Sequence, residues 1–327
     1  MKKIIPLILS LIVLTISIRA QEKALVNTSK SPYARLVPVN VDAVRWTGGF
    51  WGRWFDVSKD TMAMNMLHIY ENDTLCHGYC NFEIAAGIKQ GKYEGPPFHD
   101  GDFYKTLEGV ISVYALTKDK RLYDELERII KVIAKAQRND GYINTLTTIM
   151  HLNNPSVKEF ENQMNFEDYN LGHLMTAACL HYRVTGHTNF LDIAKKAADF
   201  LVAYYKKVTA EQARTAICPS HYMGLVEMYR TTGNKKYLDL AEKMIDLRGY
   251  SKNGTDQNQD RIPFRLQREA VGHAVRANYL YAGVADLYME TGEDSLMTAL
   301  KSIWKDVVHK KLYITGGTGA LYDGVSP

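Results

Sequence analysis

The amino-acid sequence predicts an all-α fold, a toroid of the (α/α)6 type built from αα-hairpins, with a short β element near the N-terminus. Three observations carry that expectation. A phrase repeats along the chain as Tyr114-x-x-Thr117-Lys118, Tyr182-x-x-Thr185-Gly186, Tyr229-x-x-Thr232-Gly233 and Tyr288-x-x-Thr291-Gly292. Glycine just past a last helical turn is a stop signal, so each phrase reads as the corner between two helices. Around these corners apolar residues return at helical spacing, as in Leu122, Leu126, Ile129, Ile130 and Ile133, or Leu191, Ile193, Ala194, Ala197 and Leu201. A repeated hairpin that cannot bury its own apolar face must stack on its neighbours, which is how such units form a ring. Four hairpins are clear and a fifth is arguable, so a six-hairpin ring is expected to be incomplete within these 327 residues.

In chain order, Lys2 and Lys3 precede an apolar run from Ile4 to Ile16, and Ile18-Arg19-Ala20 puts a small residue before Gln21. This is the pattern of a secretory signal over residues 1–20, leaving residues 21–327 as the partial toroid and implying export to the periplasm or the outside of the cell. The run is short of the roughly 20 residues that a membrane span needs. Val37 to Val44 alternates like a short strand, and Trp46 to Trp54 is a turn-rich aromatic patch. There, Trp51 and Trp54 either stack on sugar rings or pack under the barrel. Lys59 to Tyr70 reads as a helix, with Met62, Met66, Leu67 and Tyr70 on a core-facing side. Two insertions, Tyr142 to Asn170 and Asn253 to Arg268, are rich in polar and turn residues and read as functional loops at one end of the ring.

Composition narrows the function. The chain is 46% hydrophobic and 23% charged, ordinary values for a globular protein. Without Lys2, Lys3 and Arg19 the basic count falls from 40 to 37 against 36 acids, and no block of basic residues interleaves with aromatics. That balance argues against a nucleic-acid partner. Of the four cysteines, Cys76 and Cys80 bracket His77 like half of a metal site, but no second Cys/His pair follows. No metal ligand is assigned, the disulfide status of Cys76 and Cys80 stays open, and Cys179 reads as a core residue.

The candidate chemistry lies in three polar, aromatic segments. His99, Asp100 and Asp102 stand directly before a helix expected to start near Phe103; each Asp either caps that helix or holds a hydroxyl group. Tyr142 and Asn144 lie in a second loop, Asn139 to Thr145. His173 and His273 each follow a glycine early in a predicted helix, Asp168 to Arg183 and Ala270 to Leu287, where inner helices could bring both imidazoles to one mouth. A lone helical histidine is more often structural, and the duplicated Gly-His position is what raises the functional reading. The chain has no G-x-S-x-G elbow, phosphate loop or H-E-x-x-H zinc helix. Carboxylates are abundant near the loops, but sequence does not give the separation that distinguishes retaining from inverting chemistry.

These segments match a known family at Phe50-Trp51, Asn81-Phe82-x-x-Ala85-Ala86-Gly87, His99-Asp100-Gly101-Asp102-x-Tyr104-Lys105 and Asp140-Gly141-Tyr142-x-Asn144-Thr145. Further matches are Gly172-His173-Leu174, Gly272-His273-Ala274-Val275-Arg276-Ala277 and Ile314-Thr315-Gly316-Gly317. From about Val39 onward the sequence resembles glycoside hydrolase family 127, the β-L-arabinofuranosidase family formerly called DUF1680. The resemblance implies an exo-acting, retaining hydrolase of plant-derived glycans, with an (α/α)6 barrel followed by β-domains. It also implies a zinc-held cysteine thiolate as nucleophile, kept deprotonated by the metal, and a glutamate as acid/base.

Carried onto this sequence, the resemblance makes Asp100, Asp102, Tyr142, Asn144, His173 and His273 substrate-binding residues that hold sugar hydroxyls. The acid/base glutamate, the zinc ligands, the closing hairpins and the β-domains of the family all follow the Thr-Gly-Gly loop and are expected beyond Pro327, so no catalytic residue is assigned within the chain. Leu266-Gln267 also stands where the family pattern has Glu-Gln. The expectation is therefore a truncated, inactive chain that binds no zinc. Two other readings stay open: a non-catalytic glycan-binding or residual module, and a metal-independent toroid hydrolase of the unsaturated glucuronyl type.

Overall fold

The computed structural model describes residues 22–213, 217–319 and 324–325. The N-terminal part supplies α1 (Gly49–Val57), α2 (Ala63–Glu71) and α3 (Gly78–Ala85). Four hairpins follow: α4 (His99–Thr117) with α5 (Lys120–Ala136), α7 (Glu167–Thr185) with α8 (Asn189–Tyr205), α10 (Ser220–Thr232) with α11 (Lys235–Leu247), and α12 (Ala274–Thr291) with α13 (Asp294–Asp306). Two short helices, α6 (Thr145–Asn153) and α9 (Ala210–Ala213), lie in the connections. This is the α/α toroid architecture.

The recurring Tyr-x-x-Thr phrase builds its corner through one set of bonds. The residue after Thr adopts the left-handed conformation, with φ of 55° at Lys118, 80° at Gly186, 72° at Gly233 and 69° at Gly292. Its N–H donates back to the carbonyl of the tyrosine, at 2.9, 2.8, 2.7 and 2.8 Å respectively. The threonine hydroxyl donates to a carbonyl one turn earlier, as from Thr185 to His181 at 2.8 Å and from Thr232 to Met228 at 2.7 Å. The same hydroxyl then accepts from the N–H that opens the next segment, as from Asn234 at 3.2 Å. Lys118 adopts a backbone that costs an L-residue roughly 1–2 kcal/mol, which is why glycine fills the other three corners.

Inner and outer helices differ in what they bury. Along α5 only one stripe is buried, Leu122, Leu126, Ile129, Ile130 and Ile133 among it, and Lys120, Arg121 and Lys131 face water. Each such aliphatic side chain contributes about 2 kcal/mol on burial. In α7, by contrast, 16 of 19 residues are buried, so this helix has neighbours all round. The helices α4, α7, α10 and α12 stand side by side as the inner wall. They approach closely: a Cβ on Gly172 would lie 2.1 Å from Ser220 Oγ and 2.4 Å from the His221 nitrogen. A Cβ on Gly101 would lie 2.5 Å from the Tyr169 ring.

One end of the inner wall is closed by the N-terminal segment. Arg183 pairs with Glu227 at 2.5 Å, and Arg230 reaches Asp286 at 2.6 Å and Glu290 at 2.5 Å. These charges lie near the C-terminal ends of α7, α10 and α12. Arg183 also donates to the carbonyls of Ala24 and Leu25, and Glu227 accepts from the Asn27 N–H at 3.1 Å. With this floor sealed, the opposite end, where α4, α7, α10 and α12 begin, is the mouth.

Several expectations need correction. Val37 to Val44 is not a strand: Val37 and Val39 are exposed, and the segment is tied down by single bonds such as Val41 N–H to the Lys23 carbonyl at 3.1 Å. The expected helix over Lys59 to Tyr70 is a longer rod, in which a π-helical stretch, Ser58–Met62, joins α1 to α2. The helix expected near Phe103 begins at His99, so neither Asp100 nor Asp102 is its cap; both lie in its first turn. The signal reading of residues 1–20 lies outside the described residues.

Candidate active site

At the mouth the first turns of the inner helices bring together residues far apart in sequence. Tyr169, on α7, donates its hydroxyl to Asp102 Oδ1 on α4 at 3.2 Å. Its ring meets that of His173 one turn on, edge to face with centroids 4.7 Å apart. His173 Nε2 lies 2.9 Å from the hydroxyl of Tyr279 on α12. Lys105 pairs with Asp102 at 2.8 Å and extends over the Tyr169 ring, 5.4 Å from its centroid. Phe98, Phe166, Ile217 and Cys218 complete an apolar cluster around these two tyrosines, separate from the main core.

Burial sets the protonation states here. His173 is 5% exposed, and desolvation with the nearby Lys105 charge pushes its pKa down to about 3, so the imidazole is neutral at physiological pH. Its Nδ1 has no partner. Burial raises the phenols of Tyr169 and Tyr279 well above their usual range, which keeps both protonated. The mouth therefore offers neutral hydroxyl and imidazole groups and one partly exposed carboxylate, set among aromatic edges. Such a lining suits a ligand with apolar ring faces and several hydroxyl groups.

The six residues singled out from sequence do not all meet. Asp102 and His173 belong to the mouth constellation. Asp100, 2% exposed, accepts from the Thr145 N–H at 2.7 Å and from its hydroxyl at 2.5 Å, which ties α4 to the start of α6. Tyr142 is equally buried and donates its hydroxyl to Glu167, whose other oxygen accepts from the Phe160 N–H at 2.8 Å. Asn144 caps α6, accepting from the Thr147 N–H at 2.9 Å. These three groups hold the loop that frames the mouth.

His273 departs from its expected helical place: it is the residue before α12, with extended backbone, and its N–H donates to the Gln257 carbonyl at 3.2 Å. The two Gly-His pairs have different physical origins. Gly172 is small because α10 lies against it, whereas Gly272 holds φ of 72° beside the Asp256 carbonyl at the entry to α12. Lys105 stands out in the sequence only within the phrase from His99 to Lys105, and sequence reasoning missed Tyr169 and Tyr279. Each reads as part of an ordinary helical pattern, and no local signal marks that α7 and α12 turn them towards the same point.

The cysteines do not gather. Cys76 Sγ lies 3.0 Å from His99 Nε2, Cys80 donates to Asp73 at 2.6 Å, and His77 Nδ1 lies 3.0 Å from Asn81. All four cysteines are free thiols. Among the described residues no three His, Cys, Asp or Glu side chains converge as metal ligands. Among the described residues these separated thiols and imidazoles do not form the donor set that the zinc implied by the resemblance would need.

The toroid of αα-hairpins, with a mouth lined by aromatic rings, hydroxyls and an imidazole, is similar to solved structures of the glycoside hydrolase class. The chain belongs to glycoside hydrolase family 127: the model of the β-L-arabinofuranosidase GH127 catalytic domain matches residues 43–325. Over 278 residues it is 32% identical to the non-reducing end β-L-arabinofuranosidase of Bifidobacterium longum subsp. longum, covering 78% of this chain and 42% of that protein. It resembles a solved glycoside hydrolase at 49% identity and a TM-score of 0.74, over 93% of this chain and 42% of that one. A solved family 127 β-arabinofuranosidase aligns at 35% identity and a TM-score of 0.78, over 94% and 48%. The chain thus spans under half the length of these relatives. No helix among the described residues is long and apolar enough to cross a membrane.

Proposed function

We propose that the mouth binds a terminal β-L-arabinofuranose of a plant-derived glycan, the sugar that an exo-acting, retaining enzyme of this kind would release. The observation that carries this reading is the linked set Asp102, Tyr169, His173 and Tyr279, which joins α4, α7 and α12 through two hydrogen bonds and an aromatic contact. Asp102 accepts from a sugar hydroxyl, while neutral His173 and the Tyr279 hydroxyl fix a second one. The aromatic edges exclude water from the sugar face.

On this reading the mouth residues hold the sugar, and the chain is expected to bind the arabinofuranoside without zinc-dependent turnover. Export, as the N-terminal pattern implies, would place it where such glycans are met. The test is calorimetric titration of the chain with methyl β-L-arabinofuranoside. Saturable binding that Asp102→Asn weakens at least tenfold supports the reading, and binding that this variant leaves unchanged contradicts it. Release of arabinose by the zinc-free chain would overturn the binding-only reading and favour a metal-independent hydrolase.

A further inference from the structure

The mouth contains a guanidinium that nothing in the established picture uses. From Arg121 to Arg268 the structure describes nine arginines, and each donates to a carboxylate or a main-chain carbonyl. Arg276, in the first turn of α12, has no carboxylate or carbonyl acceptor among the described residues, and its Nε is buried without a partner. It stands against the Cys218 thiol and draws that thiol's pKa down, partly offsetting the rise due to burial. Cys218 in turn packs in the aromatic cluster with Tyr169 and Tyr279. Arg276 is therefore at the sugar mouth itself.

Charge and shape define what it would take. Lys105 is neutralised by Asp102 at 2.8 Å, which leaves Arg276, among the described residues, as the charge of the group with no carboxylate paired to it. One spare positive charge matches a monoanion better than a dianionic phosphate. The planar fork of a guanidinium fits a carboxylate through two parallel hydrogen bonds, and an arginine lacking such a partner in a partly desolvated place is poised to accept one. The mouth is lined for a sugar, so the carboxylate expected beside it is that of another sugar.

We propose that Arg276 is a specificity-determining residue that binds the carboxylate of a uronic acid in the glycan, next to the arabinofuranose held by Asp102 and His173. This rests on the sugar-binding reading of the mouth and adds a substrate class, acidic glycans, to it. The interaction is electrostatic as well as geometric, so it weakens with salt, whereas binding of a neutral sugar is nearly salt-independent.

The experiment is calorimetric titration of the full chain with methyl β-D-glucuronoside and its neutral counterpart methyl β-D-glucoside, with methyl β-L-arabinofuranoside and sodium acetate in parallel. The glucuronoside is expected to bind at least tenfold more tightly than the glucoside, and the advantage to shrink with added sodium chloride. Arg276→Gln should abolish the advantage, and Arg53→Gln, an exposed arginine on α1, should retain it. If Arg276→Gln does not fold, Arg276→Lys is expected to keep the charge and lose severalfold of the preference. No preference in the native chain, a preference surviving loss of the guanidinium, or acetate binding as tightly as the uronide would each overturn the assignment. Arabinofuranoside binding without uronide preference sinks only this inference. A uronide preference without arabinofuranoside binding upholds Arg276 and sinks the arabinofuranose reading.

Discussion

His173 and Tyr279 meet at 2.9 Å although 106 residues separate them. The bond crosses from α7 to α12, two inner helices whose hairpins are separated in sequence by a third, and it brings their second turns to a common point. Of the two nitrogens of His173, Nε2 is held by this bond and Nδ1 is unpartnered. The pair thus gives a fixed imidazole with one edge still to be satisfied.

Tyr279→Phe removes the hydroxyl and leaves the ring. The fold is expected to lose about 1 kcal/mol for the missing hydrogen bond, while affinity for methyl β-L-arabinofuranoside falls about tenfold because His173 loses its orientation. Urea unfolding and titration of the same preparation separate the two effects. A loss of stability with affinity unchanged would show the bond to be structural.

The floor is expected to be far more sensitive. Arg183 and Glu227 are both about 4% exposed in their side chains and lie 2.5 Å apart. Glu227→Ala leaves two buried guanidiniums short of an acceptor, and removal of one partner from such a pair costs about 3–5 kcal/mol. The urea midpoint should drop accordingly, and a change within the error of the measurement would contradict the sealed-floor arrangement.

Glu167 makes stability depend on pH. Burial pushes its pKa up to about 8 from the ordinary value of 4.5. Folded Glu167 thus keeps a proton that the unfolded chain releases, and its contribution is complete below pH 4.5 and lost as pH rises through 8. Thermal stability should decline between those limits, and Glu167→Gln, which keeps an acceptor for Tyr142, should flatten the decline. A slope of the same size in the variant would assign the effect to other groups.

Gly172→Ala places a methyl carbon where the Ser220 hydroxyl and the His221 main chain now lie, at 2.1 and 2.4 Å. Main chain cannot swing aside as a side chain can, so α7 and α10 must separate, at a cost of about 1–3 kcal/mol. Sugar binding should weaken as well, because His173 is the next residue. Native-like melting of this variant would contradict the tight crossing.

The hairpins were legible in the sequence because their signal is local: the tyrosine carbonyl, the threonine hydroxyl and the left-handed residue of each corner lie within five positions. Amphipathic α5 was legible for the same reason. The mouth was only partly so. Polar phrases at helix starts singled out Asp102 and His173, which line the mouth, and equally Asp100, Tyr142 and Asn144, whose oxygens bond within the scaffold that holds α4, α6 and α7. Buried scaffolding and an open site draw on the same residue types, and only the partner decides between them. Tyr169 and Tyr279 went without a role because theirs depend on helices that meet across long stretches of chain, and Arg276 stood out only as part of the Gly-His helix, with no ligand assigned to it.

The most direct test of the central claim is a crystal structure of the chain with methyl β-L-arabinofuranoside bound. The account places the sugar at the mouth, with hydroxyl groups within hydrogen-bond reach of Asp102 and of the His173–Tyr279 pair. A sugar bound elsewhere on the toroid, with that constellation left empty, would contradict it.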